Sequence, residues 1–406
     1  MSAQASQALA SFALQILAAR LLGLEGLGRF ATAYALIVLA TAVVTGFVGD
    51  SLTVLDRQHP RVRAGLQVWW LGLSLLTGVS IGLGVGLSGF VDPASAVVVG
   101  VATTVFVLED TLRRLLMANL AFWRIVLVDL AGLLVAVGVL LAAVGTVDEV
   151  GLVHFFGALA AAQTVALAVA VALLPSAERR LVSLRGADLR TVAAYGSWRS
   201  LQLSIKPALL AAVRVLGVAV VSAAAIGDLE AARIYLSPAM IMITGLTSVL
   251  FAGYAASRGT SLRTLLHQGD RAVSRLVLAV AVLTIIALVA QPWAGPLITG
   301  GDYDLSTVAI LGWAAFAAAS AATSPYSALA GVRGRQSVVV TVRLVESIAS
   351  LLVVSALLLS GASIVWTPLV LAAGVLGGGA VLRIVVLGRM PMGPPEPREG
   401  HPDAAS

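Results

Sequence analysis

The sequence predicts an all-α polytopic membrane protein with about 12 transmembrane helices. Of its 406 residues, 59% are hydrophobic and only 11% are charged, a composition outside the range of soluble domains. A window of about 19 residues finds twelve separate apolar segments, and about 20 residues are enough for a helix to cross a bilayer. The loops between these segments alternate in charge, which predicts how the chain is oriented.

The apolar segments form two sets of six. The first set covers residues 4–23, 30–54, 66–89, 95–117, 125–145 and 152–174. The second set covers residues 197–225, 231–255, 274–295, 306–329, 337–360 and 364–388. The first segment has neither a charged region before it nor a clear cleavage site, so we expect it to be retained as a helix.

Arginine in the loops predicts the topology. It is concentrated in one set of loops, including residues 56–63, 177–190 and 257–275. The alternate loops are acidic or neutral, as in residues 147–150 and 227–230. Because cytoplasmic loops carry an excess of basic residues, we expect a multi-pass protein of the cell membrane with both termini in the cytoplasm.

The longest internal loop, at residues 175–196, divides the chain into two halves. We predict an N-terminal six-helix bundle over residues 1–185 and a C-terminal six-helix bundle over residues 186–389. The proline-rich tail at residues 390–406 is expected to be a disordered cytoplasmic segment.

A short internal repeat supports this division. LGLEGLGRF at residues 22–30 aligns with IGDLEAARI at residues 226–234, at an offset of 204 residues (226 − 22). The alignment matches Gly23 with Gly227 and Arg29 with Arg233. Each block follows the first helix of its half, so we expect a parallel repeat with a pseudo-two-fold axis along the membrane normal.

Composition also excludes several kinds of chemistry. The absence of cysteine excludes disulfides, thiolate metal sites and cysteine nucleophiles. The four histidines have no metal-ligand spacing; they are His59, His154, His267 and His401. The net charge of +6 indicates orientation in a membrane protein, not nucleic-acid binding. We therefore expect no metal, no cofactor and no nucleic-acid partner.

Two cations lie inside the apolar segment 197–225, namely Lys206 and Arg214. A cation at the centre of a bilayer costs about 3 kcal/mol or more. At about 100° per residue the two side chains lie roughly 80° apart on the helix wheel, so both can face one cavity. Alternatively, either one extends to an interface or pairs with a carboxylate on a neighbouring helix. Our hypothesis is a cationic, water-filled cavity that accepts an anionic group.

Other charges near the apolar segments are weaker candidates. Arg20, Arg29 and Arg233 lie at or beside the outer loops, where they either bind the substrate or anchor the interface. Asp50 and Asp129 either couple transport to an ion or serve as interface residues. Three pairs have the spacing of local ion pairs and are expected to be structural; they are Glu109–Arg113, Asp110–Arg114 and Arg343–Glu346.

Four stretches resemble one family. ILAARLLGLEGLGRFATAYAL (16–36) resembles the first helix, outer loop and second helix of Wzx-type oligosaccharide flippases, in the polysaccharide-biosynthesis branch of the MOP superfamily. The other stretches that resemble this family are GDLEAARIYLSPAM (227–240), PLITGGDYDLSTVAILGWAAF (296–316) and ALAGVRGRQSVVVTVRLVES (328–347).

This resemblance implies two six-helix bundles around a central cavity that works by alternating access. The substrate it implies is an oligosaccharide on a polyprenyl pyrophosphate, moved from the inner to the outer leaflet for cell-surface polysaccharide biosynthesis. Related lipid II flippases carry arginines in this cavity, which fits Lys206 and Arg214. The partners implied are membrane lipids, a polysaccharide polymerase and glycosyltransferases.

Two other functions compete with the flippase. A MATE-like small-molecule exporter favours cationic substrates, which Lys206 and Arg214 would repel. An integral-membrane enzyme of glycan assembly is disfavoured because no long loop, nucleophile constellation or metal site is present, so we expect a protein that is not an enzyme. The sequence contains no phosphate-binding G-x-x-x-x-G-K-[ST] pattern. The energy source is then an ion gradient, the membrane potential or consumption of the product.

Overall fold

The computed structural model of this chain describes residues 2–179, 182–183, 185–238, 240–241 and 260–390, with side chains from residue 11 onward. Every regular element in these ranges is helical. Two α-helices in these ranges are only one turn long, Ser51–Val54 and Ser176–Arg179. The first six longer helices are α1 Ser2–Leu21, α2 Gly23–Val44, α3 Pro60–Leu87, α4 Pro93–Ala118, α5 Phe122–Thr146 and α6 Leu152–Leu173. The next six are α7 Leu189–Val220, α8 Ala223–Tyr235, α9 Leu262–Thr299, α10 Thr307–Val332, α11 Gln336–Leu359 and α12 Thr367–Ala380.

Ten helical stretches in the described part of the chain are long and apolar enough to cross a membrane. Two of them extend through turns of π-helix, at Thr45–Gly49 after α2 and at Val381–Leu387 after α12. The predicted first segment is α1, in which residues 11–21 form a shorter apolar helix. Most of the predicted eighth segment, 231–255, lies outside the described residues, as does the predicted tail after residue 390. The predicted all-α polytopic membrane fold is confirmed.

Large apolar side chains cover the outside of these helices. On α3 the exposed residues include Leu75, Leu76 and Leu83. On α9 they include Ile285, Ile286 and Val289. A soluble protein rarely exposes continuous apolar surface of this extent, whereas lipid chains are as apolar as these side chains. These faces therefore fit contact with hydrocarbon.

Asp92 and Asp188 begin α4 and α7, respectively. Each side chain accepts a hydrogen bond from the backbone N–H three residues later, Ser95 N at 3.0 Å and Thr191 N at 3.0 Å, as expected of an N-cap. Hydrogen bonds from Ser95 lower the pKa of Asp92, and those from Thr191 lower the pKa of Asp188. Both helices are thus started by a charge that lies outside the apolar segment.

By its internal contacts the chain forms two compact units. The first contains Met1–Tyr235, Ala290–Ala309 and Val354–Ile364, and the second contains Leu236–Val289, Ile310–Val353 and Val365–Ser406. A core around Val44, Leu112, Leu116, Ile125 and Val128 lies in the first unit. A core around Leu262, Leu265, Leu329, Leu382 and Leu387 lies in the second. The division into bundles at residue 185 stays a prediction.

Small residues let α2 and α8 approach each other closely in the first unit. A Cβ placed on Gly28 would lie 1.8 Å from the carbonyl oxygen of Ala223, and one on Gly227 would lie 1.8 Å from that of Leu24. Only glycine fits at these two positions, as in other close helix crossings in membranes. This contact brings the repeat-related blocks of the two halves together and places Glu230 and Arg233 beside α1 and α7.

Candidate functional site

The two cations of α7 have different environments. The helix continues through Pro207 from Leu189 to Val220, so Lys206 and Arg214 are separated by about 12 Å of helix. Lys206 is exposed. Arg214 is buried, with only 7% of its surface accessible. The structure therefore places Lys206 where water or lipid can reach it and Arg214 in the protein interior.

Glu230 on α8 is the partner of Arg214. Arg214 Nε and Nη2 lie 2.8 Å and 2.7 Å from Glu230 Oε1. Arg214 Nη1 also donates to the carbonyl oxygen of Leu210 at 3.0 Å. Glu230 is 1% exposed, so this is an ion pair between two side chains removed from water. The sequence left open that Arg214 pairs with a carboxylate on a neighbouring helix, and the structure shows such a pair.

A second arginine shares the same carboxylate. Arg233 Nε donates to Glu230 Oε2 at 2.6 Å, and Arg233 Nη2 donates to Gln15 Oε1 at 2.7 Å. We call Arg214, Glu230, Arg233 and Gln15 the Arg214 network. Two guanidinium groups and one carboxylate leave it with a formal charge of +1. Because a low-dielectric interior strengthens electrostatic interactions, this surplus favours an anion nearby.

The Arg214 network continues into an aromatic cluster. Gln15 Nε2 donates to Ser11 Oγ at 2.9 Å, and that hydroxyl lies 3.4 Å from Tyr34 Oη. The rings of Phe30 and Tyr34 stack with their centroids 5.7 Å apart. Phe155 and Phe156 pack against Phe30 at 5.6 Å and 5.3 Å. The polar network therefore borders an apolar wall within the first unit.

Arg29 and Arg20 have other contacts. Arg29 pairs with Glu25 at 2.6 Å, where the two side chains are 40% and 64% exposed, and donates to the carbonyl oxygen of Phe90 at 3.4 Å. Arg20 is exposed beside Gly300. Among the described residues no hydrogen bond or ion pair joins either arginine to the Arg214 network. The structure thus brings Arg214 and Arg233 together but not these two.

The loop between α9 and α10 packs against α1 and α8. Tyr303 Oη donates to the carbonyl oxygen of Ala19 at 2.9 Å, near the end of α1. Burial, together with the charges of Asp228 and Asp302, raises the pKa of Tyr303 to about 12. Burial also raises the pKa of Asp228, opposed by a hydrogen bond from the backbone of Ser306. The loop therefore fixes the ends of the two helices that carry Gln15 and Arg233.

Asp50 lies in a second charged region. The π-helical turn Thr45–Gly49 precedes Asp50. Arg199 Nε on α7 donates to Asp50, and Arg114 Nη1 on α4 lies 4.0 Å from it. Thr45 Oγ1 donates to Asp110 at 2.7 Å, and Arg114 Nε lies 3.4 Å from the same carboxylate. The predicted Asp110–Arg114 pair is thus confirmed as a structural pair.

Asp129 takes the partner that was predicted for Glu109. Arg113 Nε lies 3.1 Å from Asp129 Oδ1, and Arg113 Nη2 lies 3.4 Å from Asp129 Oδ2. The expected Glu109–Arg113 pair is therefore wrong in this structure, since a carboxylate on α5 competes successfully for the guanidinium. In the second unit the expected Arg343–Glu346 pair is confirmed at 3.3 Å.

Sequence reasoning missed three members of these sites: Glu230, Gln15 and Arg199. A weak signal existed for Glu230, because it stands three residues before Arg233, on the helix that follows α7 after only Val221 and Ser222. No comparable signal existed for Gln15 or Arg199, whose partners lie 218 and 149 residues away along the chain. No group of three or more His, Asp or Glu side chains suited to a metal ion occurs in the described ranges.

Comparison with known proteins identifies the fold. Neither a scan against protein-family models nor a search of curated proteins finds a match. Among solved structures, the inward-facing form of a multidrug resistance MATE family transporter of the MOP superfamily matches with a TM-score of 0.73 and 15% identity, over 94% of this chain and 96% of that one. An outward-facing form of such a transporter matches with a TM-score of 0.64 and 16% identity, over 96% and 94%.

A third similar structure is a MOP superfamily transporter from Pyrococcus furiosus, described as having a binding pocket of reverse polarity that suggests a different function. It matches with a TM-score of 0.61 and 16% identity, over 96% of this chain and 94% of that one. At these identities the similarity establishes the architecture. The chain has the fold of MOP superfamily transporters.

Proposed function

We propose that this chain is a transporter that moves polyprenyl-pyrophosphate-linked oligosaccharide from the inner to the outer leaflet of the cell membrane by alternating access. The product would supply cell-surface polysaccharide biosynthesis. The observation that carries this proposal is the surplus positive charge of the Arg214 network, in which two arginines share Glu230. A site of this charge, built into a transporter fold, suits an anionic substrate.

The chemistry of a pyrophosphate fits these side chains. It carries about two negative charges and cannot enter hydrocarbon without compensation. A guanidinium binds phosphate through paired hydrogen bonds, whereas an ammonium acts as a point charge. Arg233 is the more accessible arginine of the network, with its side chain 21% exposed against 9% for Arg214. We therefore assign direct phosphate contact to Arg233, with Arg214 holding Glu230 in place.

Lys206 would provide a second attachment point on α7. It is exposed, about 12 Å along the helix from Arg214. Arg29 and Arg20, at the outer ends of α2 and α1, would meet the substrate as it leaves. Membrane lipids, a polysaccharide polymerase and glycosyltransferases remain the proposed partners, and both termini are proposed to lie in the cytoplasm.

Asp50 and Asp129 are the proposed ion-coupling residues. Asp50 joins α2 to α4 and α7 through Arg114 and Arg199, and Asp129 joins α5 to α4 through Arg113. A change of protonation at either carboxylate would alter a contact between helices. This is the type of change that an alternating-access cycle requires.

The multidrug transporters with similar structures support a second candidate, a MATE-like exporter of small molecules. The Pyrococcus furiosus transporter is described as having a pocket of reverse polarity, so pocket charge differs between transporters of this fold. The two arginines of the Arg214 network would repel an organic cation. Charge therefore favours an anionic substrate over a cationic drug.

The test is translocation in reconstituted liposomes. A lipid-pyrophosphate oligosaccharide is placed in one leaflet and its appearance in the other is followed in wild type, Lys206→Met and Arg233→Gln. Arg190→Gln is the matched control, because Arg190 is an exposed arginine at the start of α7. We expect translocation by wild type and the control, with a loss of at least about tenfold in both site variants, equal to about 1.4 kcal/mol.

Two results would contradict the proposal. Equal rates in all four proteins would remove the cationic site from the mechanism. No translocation by folded wild type with several glycans, together with efflux of the organic cation ethidium from the same liposomes, would assign the protein to the exporter class.

A further inference from the structure

The helix α4 carries two acid–arginine pairs, offset by one residue. Glu109 and Arg113 are spaced i to i+4, and so are Asp110 and Arg114. This spacing places the two side chains of each pair next to each other on the helix surface. Only the second pair forms in the structure, at 3.4 Å, because Arg113 binds Asp129 on α5.

Glu109 is consequently a buried acid without a counter-ion in contact. The residue is 6% exposed, and within the described ranges its carboxyl group makes no ion pair or side-chain hydrogen bond. The charged groups that act on it are Asp110 and Arg113 on its own helix and Asp129 on α5. Two of these three are themselves carboxylates. An ionised Glu109 would therefore face burial and net repulsion together.

Glu109 belongs to a larger group that we call the α4 cluster. Its acids are Asp50, Glu109, Asp110 and Asp129, and its bases are Arg113, Arg114 and Arg199. Four carboxylates and three guanidiniums give a net charge of −1 (3 − 4) if all are ionised. The three other acids each contact an arginine at 4.0 Å or less. The surplus negative charge therefore falls on Glu109.

A buried carboxylate without a partner is more stable when it is protonated. A metal ion would need several ligands, whereas the described residues contain no group of three acids or histidines placed to hold one. A proton needs only one carboxylate. The α4 cluster also has an accessible end, since the side chains of Arg199 and Arg114 are 36% and 34% exposed.

We propose that Glu109 is a proton-binding site that is switched by Arg113. While Arg113 pairs with Asp129, Glu109 holds a proton taken from water. When Arg113 turns to Glu109, its neighbour one helical turn away, Glu109 releases its proton, and Asp129, which Arg113 has left, binds a proton in its place. The exchange alters the contact between α4 and α5, so proton binding is linked to helix packing. The site itself does not depend on which substrate the protein carries.

Infrared spectroscopy of the full chain in nanodiscs tests this inference. Exposed carboxyl groups are ionised above a pH of about 6, so a protonated-carboxyl band at that pH reports a perturbed group. We expect the band in wild type and in Glu25→Gln, whose glutamate is 64% exposed and ion-paired in the same i, i+4 spacing. Because burial also raises the pKa of Asp228, we expect the band of Glu109→Gln to be weaker by the intensity of one carboxyl group.

Asp129→Asn tests the switch. Removing the competing carboxylate lets Arg113 pair with Glu109. A guanidinium next to a carboxyl group lowers the pKa of that group by about 1–3 units. The contribution of Glu109 to the band should then disappear at a pH lower by that amount. A band of undiminished intensity in Glu109→Gln would overturn the site, and a band unaffected by Asp129→Asn would overturn the exchange.

Counting protons gives a second measurement if Asp129→Asn does not fold. Wild type and Glu109→Gln are titrated upward from a pH of about 6 with a pH indicator in weak buffer. We expect wild type to release one proton more than the variant. Equal release by the two proteins would also overturn the proton site.

Discussion

The Arg214 network allows a quantitative test of how buried charges stabilise this protein. Glu230→Gln keeps the shape of the side chain but removes the carboxylate that Arg214 and Arg233 share. The Glu230 and Arg214 side chains are 2% and 9% exposed, so the variant leaves a guanidinium buried without compensation. Breaking a buried ion pair in this way costs about 3–5 kcal/mol. We expect the free energy of unfolding to fall by this amount.

Glu25→Gln is the matched control. It removes an acid from the repeat-related block, where Glu25 contacts Arg29 at 2.6 Å, as close as the Glu230–Arg233 contact at 2.6 Å. The control pair is 64% and 40% exposed, and exposed pairs contribute about 0–1 kcal/mol. The two variants therefore differ in burial and in the second arginine that Glu230 contacts.

The assay is unfolding in mixed micelles with increasing denaturing detergent, followed by the fluorescence of the seven tryptophans. The double variant Glu230→Gln with Arg214→Gln completes a thermodynamic cycle. Because both charges are then gone, we expect it to be more stable than Glu230→Gln alone, with a coupling energy of about 0.5–3 kcal/mol. A double variant that loses the sum of the two single losses would refute the argument from an uncompensated charge.

Three further predictions concern packing, capping and the loop between α9 and α10. Gly227→Ala should lower the free energy of unfolding by about 1–3 kcal/mol, because the added Cβ would lie 1.8 Å from Leu24 O. The control Gly138→Ala should be neutral or stabilising, because a Cβ at this position meets no atom within 4 Å. Equal losses of the two variants in detergent unfolding would contradict this prediction. Tyr303→Phe should cost about 0.5–1.5 kcal/mol through loss of the bond to Ala19 O, and unchanged unfolding would mean that the loop does not hold α1. The pKa of Asp188 is lowered by the hydrogen bonds of Thr191, so its contribution is fully present above the unfolded pKa of about 3.9 and is lost as the pH falls through the lower folded value. Wild type should therefore lose stability over this pH range relative to Asp188→Ala, and parallel pH profiles would show that the cap contributes nothing.

Hydropathy predicted the membrane helices but not their polar extensions. The helix α7 begins at Leu189 and α9 begins at Leu262, whereas the apolar segments were placed from 197 and from 274. The residues between these positions are polar or charged, so a hydropathy window does not include them. The helix nevertheless continues because Asp188 caps α7 at its true start and the backbone favours unbroken hydrogen bonding.

The candidate site was predicted in part. The cost of a cation in hydrocarbon singled out Arg214, and the weak repeat singled out Arg233. The contact between them depends on Glu230, on a helix whose apolar segment was predicted to begin only at 231. Similarly, the spacing of Glu109 and Arg113 predicts a pair on one helix, but it contains no information about Asp129 on the next helix.

The sequence by itself determined that this chain is an all-α membrane protein. In hydrocarbon each spanning helix must satisfy its own backbone N–H and C=O groups, so the fold class follows from each segment's own composition. The sequence also indicated which arginines and acids are expensive to bury. Only the tertiary structure decided how those charges are paired. Arg214 and Arg233 meet at Glu230 because α7 and α8 pack against each other, and Arg113 pairs with Asp129 instead of Glu109 because α5 packs beside α4. The Arg214–Glu230 and Arg113–Asp129 pairs each join two helices across only 16 residues of chain, but the pattern of a single helix contains no information about how neighbouring helices pack.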